Sequence, residues 1–244
     1  MWANLTLKMK IKLFTIPNCI TLLNLSCGVA SIIASLVYGD LRLAFAFVAA
    51  SAVFDFMDGM AARLLGQYSA VGVELDSLAD MVSFGVAPAV ALYAASEGMP
   101  LLWDEGVWGE VLRYVPLLIP AFSALRLAKF NIDDTQKEEF EGLPTPASAI
   151  LLLSTAAICE RYSLIVDMEW FVLLSLITAA MLISPVRMFS LKFHEWGLGS
   201  TDNKIRYGFL ITSCLLICLL RLYAIPTIIV LYIAVSAVRW IVKK

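Results

Sequence analysis

The chain has 244 residues, of which 61% are hydrophobic and 16% are charged, and its formal net charge is −2. Soluble domains carry about 25% charged residues, so this composition excludes an ordinary soluble enzyme. The charged residues form no basic patch with interleaved aromatic residues, so we expect no nucleic-acid partner. Apolar runs of about 20 residues recur along the chain and predict an all-α, polytopic integral membrane protein.

The hydropathy pattern predicts about eight transmembrane helices in a single transmembrane domain that covers residues 1–244. Segment 1–16 contains three lysines but no small-residue cleavage site, so we expect an uncleaved cytoplasmic segment. Turn signals such as "GQYSAVG" and "EGLPTP" separate the spans. The last two spans, within 207–242, form an additional C-terminal helix pair that turns around Arg221 and Pro226. The predicted spans are 17–38, 43–65, 72–95, 109–130, 146–161, 169–187, 207–222 and 225–242.

Lysines and arginines are distributed unequally between the two sides of the predicted bundle. With a cytoplasmic N-terminus, fourteen of the 18 lie on the cytoplasmic flanks of the spans. Because short cytoplasmic loops of membrane proteins are enriched in these residues, we expect both termini and the 63–72 turn to face the cytoplasm.

Four aspartates interrupt the second and third predicted spans. On an α-helix, Asp55, Asp58 and Ala62 share one face, and Gly72, Asp76 and Asp80 share one face of the next helix. The short turn between these spans makes them antiparallel neighbours. We therefore expect the four carboxylates to converge on one cavity near the cytoplasmic surface.

Carboxylates in a membrane span need compensation. Each ionised aspartate costs about 2.5–3.5 kcal/mol on insertion scales, and Arg63 is a single nearby cation. One or two divalent ions are the simplest compensation, and hard oxygen ligands favour Mg²⁺, Mn²⁺ or Ca²⁺ over zinc or copper. The single histidine, His194, excludes a two-histidine phosphotransfer relay and a zinc site with several imidazoles.

An alternative is that the carboxylates line a water-filled pore or a proton path. Small residues beside the acids, at Gly59, Ala62 and Gly72, favour instead a bulky ligand that approaches the backbone. Carboxylate-bound Mg²⁺ commonly completes its coordination shell with substrate phosphates. The residues alone therefore predict a metal-dependent phosphoryl-transfer site and leave its substrate open.

The pattern D-x2-D-G-x2-A-R-x8-G-x3-D-x3-D, at residues 55–80, resembles the signature of the CDP-alcohol phosphotransferase family. The resemblance implies a six-helix core, two metal ions, a CDP-linked lipid, an alcohol acceptor and a homodimer. It implies metal binding by Asp55, Asp58, Asp76 and Asp80, with Asp80 also the general base. The residues implied to contact the CDP-lipid are Asn18, Thr21, Asp58, Gly59, Ala62, Arg63 and Gly72.

Three flanking stretches resemble the branch of this family that joins CDP-diacylglycerol to L-serine. The glycerol-phosphate branch commonly has an arginine where this chain has Asn24, and the missing cation disfavours a phosphorylated acceptor. The three stretches are "FTIPNCITLLNLSCGVAS" at 14–31, "ALRLAKFNI" at 124–132 and "FEGLPTPASA" at 140–149.

The serine carboxylate requires a cation close to the metal site. Arg126, Lys129 and Asn131 end the fourth span on the cytoplasmic side and could bind it. The positive-inside bias explains Arg126 and Lys129 equally well. A related transferase acting on glycerol phosphate, an inositol compound or choline stays open, as does a divalent-cation channel or transporter.

Overall fold

The computed structural model describes residues 13–97, 99–100, 106–133, 140–189 and 201–243. The lysines of segment 1–12 and His194 lie outside the described residues. Two short strands, β1 (Phe140–Glu141) and β2 (Arg187–Met188), pair antiparallel. The helices are α1 (Ile16–Tyr38), α2 (Leu41–Leu65), α3 (Ala70–Asp80), α4 (Ala87–Ser96), α5 (Val107–Arg113), α6 (Leu118–Ile132), α7 (Thr145–Arg161), α8 (Met168–Leu182), α9 (Thr201–Leu220) and α10 (Ala224–Lys243).

The prediction of an all-α, polytopic membrane protein is confirmed. Among the described residues, five helical stretches are long and apolar enough to cross a membrane. The predicted total of about eight crossings stays a prediction, because α7 has 17 residues and α8 has 15. The five stretches are Ile16–Tyr38, Leu41–Leu65, Ala70–Ser96, Val107–Ile132 and Asn203–Val242.

Local capping signals define the first three helices. Thr15 caps α1, which ends at Gly39 with a left-handed φ of 62°, and Asp40 caps α2. Gly66 ends α2 with a φ of 62°, and the hydroxyl of Ser69 accepts a hydrogen bond from the N–H of Gly72 at the start of α3. Glycine adopts left-handed backbone without strain, so α2 and α3 are joined by a turn of four residues, 66–69.

Helix α7 lies at the centre of the bundle. Leu151, Leu152 and Leu153 follow one another in sequence and all are buried, which requires neighbours on every side of the helix. These neighbours include α2, α4, α8 and α10. The outer helices instead expose large apolar side chains, as α1 does at Val29, Ile33 and Leu36, which suits a surface in contact with lipid.

Four details differ from the predicted architecture. Residues Met81–Val86 form a π-helical turn inside the third span, and a 3₁₀ turn at Val115–Leu117 interrupts the fourth. The sixth predicted span corresponds to α8, which ends at Leu182 rather than 187, because Pro185 disfavours helical geometry at the residue before it. Pro226 lies inside the first turn of α10 rather than in the turn between the last two helices.

Candidate active site

Three carboxylates from two helices form an acidic cluster. One oxygen each of Asp55 on α2 and of Asp76 and Asp80 on α3 lie within 4.8 Å of one another. Asp80 is 8% exposed, and Asp55 and Asp76 are half-buried. Like charges this close repel strongly away from water, so the cluster requires protons or a cation. The two acidic faces therefore meet in the folded chain.

Asp58 occupies a separate position one turn further along α2. It is 6% exposed, and the hydroxyl of Thr21 on α1 lies 2.6 Å from its Oδ2. The same hydroxyl lies 3.1 Å from the carbonyl of Pro17, but the shorter contact and the negative charge favour donation to Asp58. Helix α1 thus fixes the orientation of the fourth aspartate.

Asn24 is a site residue whose contact the sequence did not predict. Its side chain is fully buried, and Nδ2 donates to Oδ1 of Asp80 at 3.2 Å. Its backbone carbonyl accepts hydrogen bonds from the hydroxyls of Ser51 and Ser83, both at 3.0 Å. Asn18, Thr21 and Asn24 are spaced three residues apart and form a polar stripe on an otherwise apolar helix. This stripe is the sequence signal that could have identified Asn24 as a site residue.

Unpaired buried oxygens beside the acidic cluster fit a metal ion. Oδ1 of Asp76 and Oδ1 of Asn24 are both buried and have no hydrogen-bond partner among the described residues. Buried oxygens of this kind are costly unless they coordinate or accept a hydrogen bond. Carboxylate and amide oxygens are the ligands that Mg²⁺ and Ca²⁺ prefer, so the cluster is able to hold a divalent ion.

A cleft of about 300 Å³ opens beside the aspartates between α1, α2 and α3. Each residue that the family resemblance assigns to the CDP-lipid lines this cleft. The sequence did not identify the residues of the α2–α3 turn as part of its wall, because turn signals report a change of chain direction and not what the turn encloses. The lining residues are Pro17, Asn18, Thr21, Asp58, Gly59, Ala62, Arg63, Gln67, Tyr68, Ser69, Gly72, Val73 and Asp76.

Two glycines in the cleft serve different purposes. A Cβ atom on Gly59 would meet no protein atom within 4 Å, so its open side is space within the cleft. A Cβ atom on Gly72 would lie 3.1 Å from both Oδ1 of Asn18 and Oγ of Ser69. Gly72 therefore permits the close approach of α1 to α3, and Gly59 leaves room for a ligand.

The three residues predicted to bind the acceptor have different surroundings. Arg126 is 9% exposed, its Nε has no hydrogen-bond partner in the described part of the chain, and it interacts electrostatically with Asp80. Lys129 forms an ion pair of 2.7 Å with Glu141, and its side chain is 54% exposed. Asn131 donates to the hydroxyl of Ser77 at 2.9 Å. Of the three, Arg126 is the buried cation, and it interacts with an aspartate of the acidic cluster.

Comparison with known proteins agrees with the family resemblance of the sequence motif. The family model for CDP-alcohol phosphatidyltransferases matches residues 14–183. Three relatives share the name CDP-diacylglycerol–serine O-phosphatidyltransferase. The relative from Helicobacter pylori (strain J99 / ATCC 700824) is 30% identical over 234 residues, which cover 94% of this chain and 92% of that protein.

The other two relatives match over a shorter range. The protein from Mycobacterium leprae (strain TN) is 40% identical over 155 residues, which cover 61% of this chain and 48% of the relative. The protein from Bacillus subtilis (strain 168) is 38% identical over 138 residues, which cover 57% of this chain and 73% of the relative. The match thus spans about half the length of the mycobacterial relative.

Proposed function

We propose, since the chain belongs to the CDP-alcohol phosphatidyltransferase family, that it transfers the phosphatidyl group of CDP-diacylglycerol to the hydroxyl of L-serine. The products would be phosphatidylserine and CMP. The observation that carries this proposal is the cluster of Asp55, Asp76 and Asp80 at the edge of a cleft that opens between membrane helices. The shared name of the relatives supports serine as the acceptor.

The acidic cluster would hold the metal. We propose two divalent ions, Mg²⁺ or Mn²⁺, bound by Asp55, Asp76 and Asp80 together with Asp58; Ca²⁺ could bind the same oxygens. The unpaired Oδ1 atoms of Asp76 and Asn24 support this assignment. When bound, such ions neutralise the diphosphate and the charge that develops during phosphoryl transfer.

The cleft would hold the CDP group. The backbone at Gly59 is open to a ligand. The small residues Ala62 and Gly72 would leave space in the cleft for a nucleotide. Arg63 is exposed at the mouth of the cleft and carries the positive charge that suits a phosphate or nucleotide contact. Asn18 and Thr21 close the side formed by α1. The acyl chains would remain in the surrounding lipid, because the cleft lies between membrane helices.

The chemical step would be a direct displacement. Asp80 would accept the proton of the serine hydroxyl, and the amide of Asn24 would fix the orientation of that carboxylate. The serine oxygen would form a bond to the phosphorus next to diacylglycerol while the bond to CMP breaks. No histidine or cysteine occurs in residues 55–80, which favours this route over a covalent enzyme intermediate.

The buried charge of Arg126 would bind the serine carboxylate. Its electrostatic interaction with Asp80 supports this proposal, because an amino acid whose hydroxyl reaches the base would carry its carboxylate close by, and a guanidinium binds a carboxylate well. Contacts of Lys129 and Asn131 with serine stay predictions. Each side chain is already bonded to another one, Lys129 to Glu141 and Asn131 to Ser77.

Release of CMP tests the proposed function. The purified protein is incubated with CDP-diacylglycerol, Mn²⁺ and one alcohol at a time: serine, glycerol phosphate, inositol, inositol phosphate or choline. Serine-dependent release that is absent in Asp80→Asn supports the proposal. Release with a different alcohol would assign the chain to a sibling activity. If no alcohol causes release and the protein instead carries Mn²⁺ into liposomes, the proposed enzyme function is wrong and a divalent-cation channel or transporter is indicated.

We also propose that the site faces the cytoplasm and that the protein is a homodimer. The distribution of lysines and arginines supports the orientation, and the family resemblance alone supports the dimer. Gln67→Cys, introduced into a cysteine-free background, should react with a membrane-impermeant maleimide only from the cytoplasmic side. Reaction from the opposite side would reverse the orientation. Mass measurement in detergent would count the protomers.

A further inference from the structure

The C-terminal helix pair, α9 and α10, lies outside the residues that the family model matches, which end at 183. Nevertheless, α10 packs against the central helix α7 and against β2. It also carries polar side chains toward the protein: Tyr232 is half-buried and Ser236 is fully buried. Buried polar groups are costly in a helix that serves only to fill the bilayer, so the contacts of Tyr232 indicate a further role for α10.

Tyr232 connects α10 to a short strap made of one segment before α7 and one after α8. We define the strap as residues 140–143 and 186–189, which include β1 and β2. The hydroxyl of Tyr232 donates to the backbone carbonyl of Phe189 at 3.0 Å, and their ring centroids lie 5.0 Å apart. Phe209 of α9 packs edge-on against Phe189 at 5.5 Å. Both C-terminal helices therefore hold the strap.

The strap in turn reaches α6, the helix that carries Arg126. Its two halves are joined by the hydrogen bond from the N–H of Gly142 to the carbonyl of Val186, at 2.9 Å. Glu141 of the strap pairs with Lys129 at 2.7 Å, and Lys129 lies one helical turn after Arg126. A continuous set of contacts thus leads from Tyr232 to the end of α6.

Tyr232 also lies within electrostatic range of Arg126. The guanidinium of Arg126 interacts electrostatically with the phenol of Tyr232 as well as with Asp80. The proton of the phenol is donated to Phe189, so the lone pairs of its oxygen remain for a cation. Arg126 is 9% exposed with an unpartnered Nε within the described residues, and a buried cation in this state requires acceptors around it.

We propose that Tyr232 is a positioning residue for the acceptor alcohol: its hydrogen bond to the Phe189 carbonyl holds the strap, and the strap, through the pair of Glu141 with Lys129, holds the end of α6 that carries Arg126. The C-terminal helix pair is then a part of the acceptor site. This inference rests on the proposed function, because it takes Arg126 as the group that binds the serine carboxylate. It predicts that a change in α10 alters recognition of the acceptor and leaves recognition of the CDP-lipid unaltered.

The test is Tyr232→Phe, which keeps the ring against Phe189 and removes the hydroxyl. We expect its KM for serine to rise about tenfold, equivalent to about 1.4 kcal/mol, with the KM for CDP-diacylglycerol within twofold of the wild type. Tyr223→Phe is the matched control, because Tyr223 stacks on Tyr162 with ring centroids 5.1 Å apart at the other end of the helix pair. In an Arg126→Ala background, Tyr232→Phe should add no further increase.

The possible results separate this inference from the proposed function. An unchanged serine KM in Tyr232→Phe, or a full additive effect on top of Arg126→Ala, overturns the positioning role while serine-dependent CMP release still stands. Equal losses for both substrates together with a lower unfolding temperature also overturn it, since they indicate a structural role only. If the wild type uses another alcohol, the proposed function fails, and the same KM comparison with that alcohol decides the positioning role.

Discussion

Replacing Thr21 by valine is the most specific perturbation of the site, because it retains the branched shape of the side chain and removes one hydroxyl. In the folded chain that hydroxyl lies 2.6 Å from Oδ2 of the buried Asp58. Its removal leaves a carboxylate oxygen without the donor that α1 supplies. We expect Asp58 to lose its fixed orientation beside the acidic cluster, while the packing of α1 against α2 is maintained.

The expected magnitude follows from the type of hydrogen bond. A hydrogen bond to a charged group contributes about 1.5–3 kcal/mol, and about 1.4 kcal/mol corresponds to a factor of ten. Loss of the bond should therefore lower kcat/KM for CDP-diacylglycerol by about 10- to 100-fold. Residues that orient metal ligands have effects of about the same size, 10- to 100-fold, on metal affinity or activity.

The assay is CMP release over a series of Mn²⁺ concentrations, with thermal unfolding measured on the same samples. Thr21→Ser should recover most of the activity because it restores the hydroxyl. Thr155→Val is the matched control, since the hydroxyl of Thr155 donates only to the carbonyl of Leu151 within α7, at 2.7 Å. A Thr21→Val protein with kcat/KM and Mn²⁺ dependence within twofold of the wild type would refute the role given to this contact.

Three further substitutions separate the parts of the site. Asp80→Asn should abolish CMP release yet retain binding of radiolabelled CDP-diacylglycerol, because three carboxylates remain; near-normal turnover would remove Asp80 from the mechanism. Gly59→Leu should raise the KM for CDP-diacylglycerol at least about tenfold without lowering the unfolding temperature. The control is Gly208→Leu, at a second glycine whose Cβ would meet nothing within 4 Å; equal effects of the two would contradict the assignment of the cleft. Arg126→Ala should raise the serine KM far more than Lys129→Ala does, because the exposed ion pair of Lys129 contributes only about 0.2–1 kcal/mol. Similar effects of the two substitutions would indicate that Arg126 serves only the positive-inside bias.

The sequence predicted the parts of the fold that depend on local patterns. Helical spacing places Asp76 and Asp80 on one face of α3, and the glycine and serine of the 66–69 turn bring that face against α2. Because both signals act over a few residues, the meeting of the acidic faces could be predicted without any knowledge of the other helices. The end of α8 was mispredicted although its signal is local, because the predicted span 169–187 continued past Pro185, which disfavours helix at the residue before it.

Long-range contacts could not be predicted in the same way. The contact between Asn24 and Asp80 joins residues 56 positions apart, and the one between Tyr232 and Phe189 joins residues 43 apart. An asparagine or tyrosine in an apolar helix does not identify its partner, since many side chains could accept its hydrogen bond. The π-helical turn that follows Asp80 likewise depends on packing, because Gly85 in it lies against Ser123 of α6.

Binding of Mn²⁺ to the purified protein tests the central claim most directly. Free Mn²⁺ is measured by electron paramagnetic resonance during a titration in the presence of CDP-diacylglycerol, for the wild type and for Asp76→Asn. The account predicts saturable binding of two ions per chain in the wild type and weakened binding of at least one ion in the variant. Absence of saturable binding by the wild type, or identical titrations of the two proteins, would contradict the claim that the acidic faces of α2 and α3 hold divalent ions.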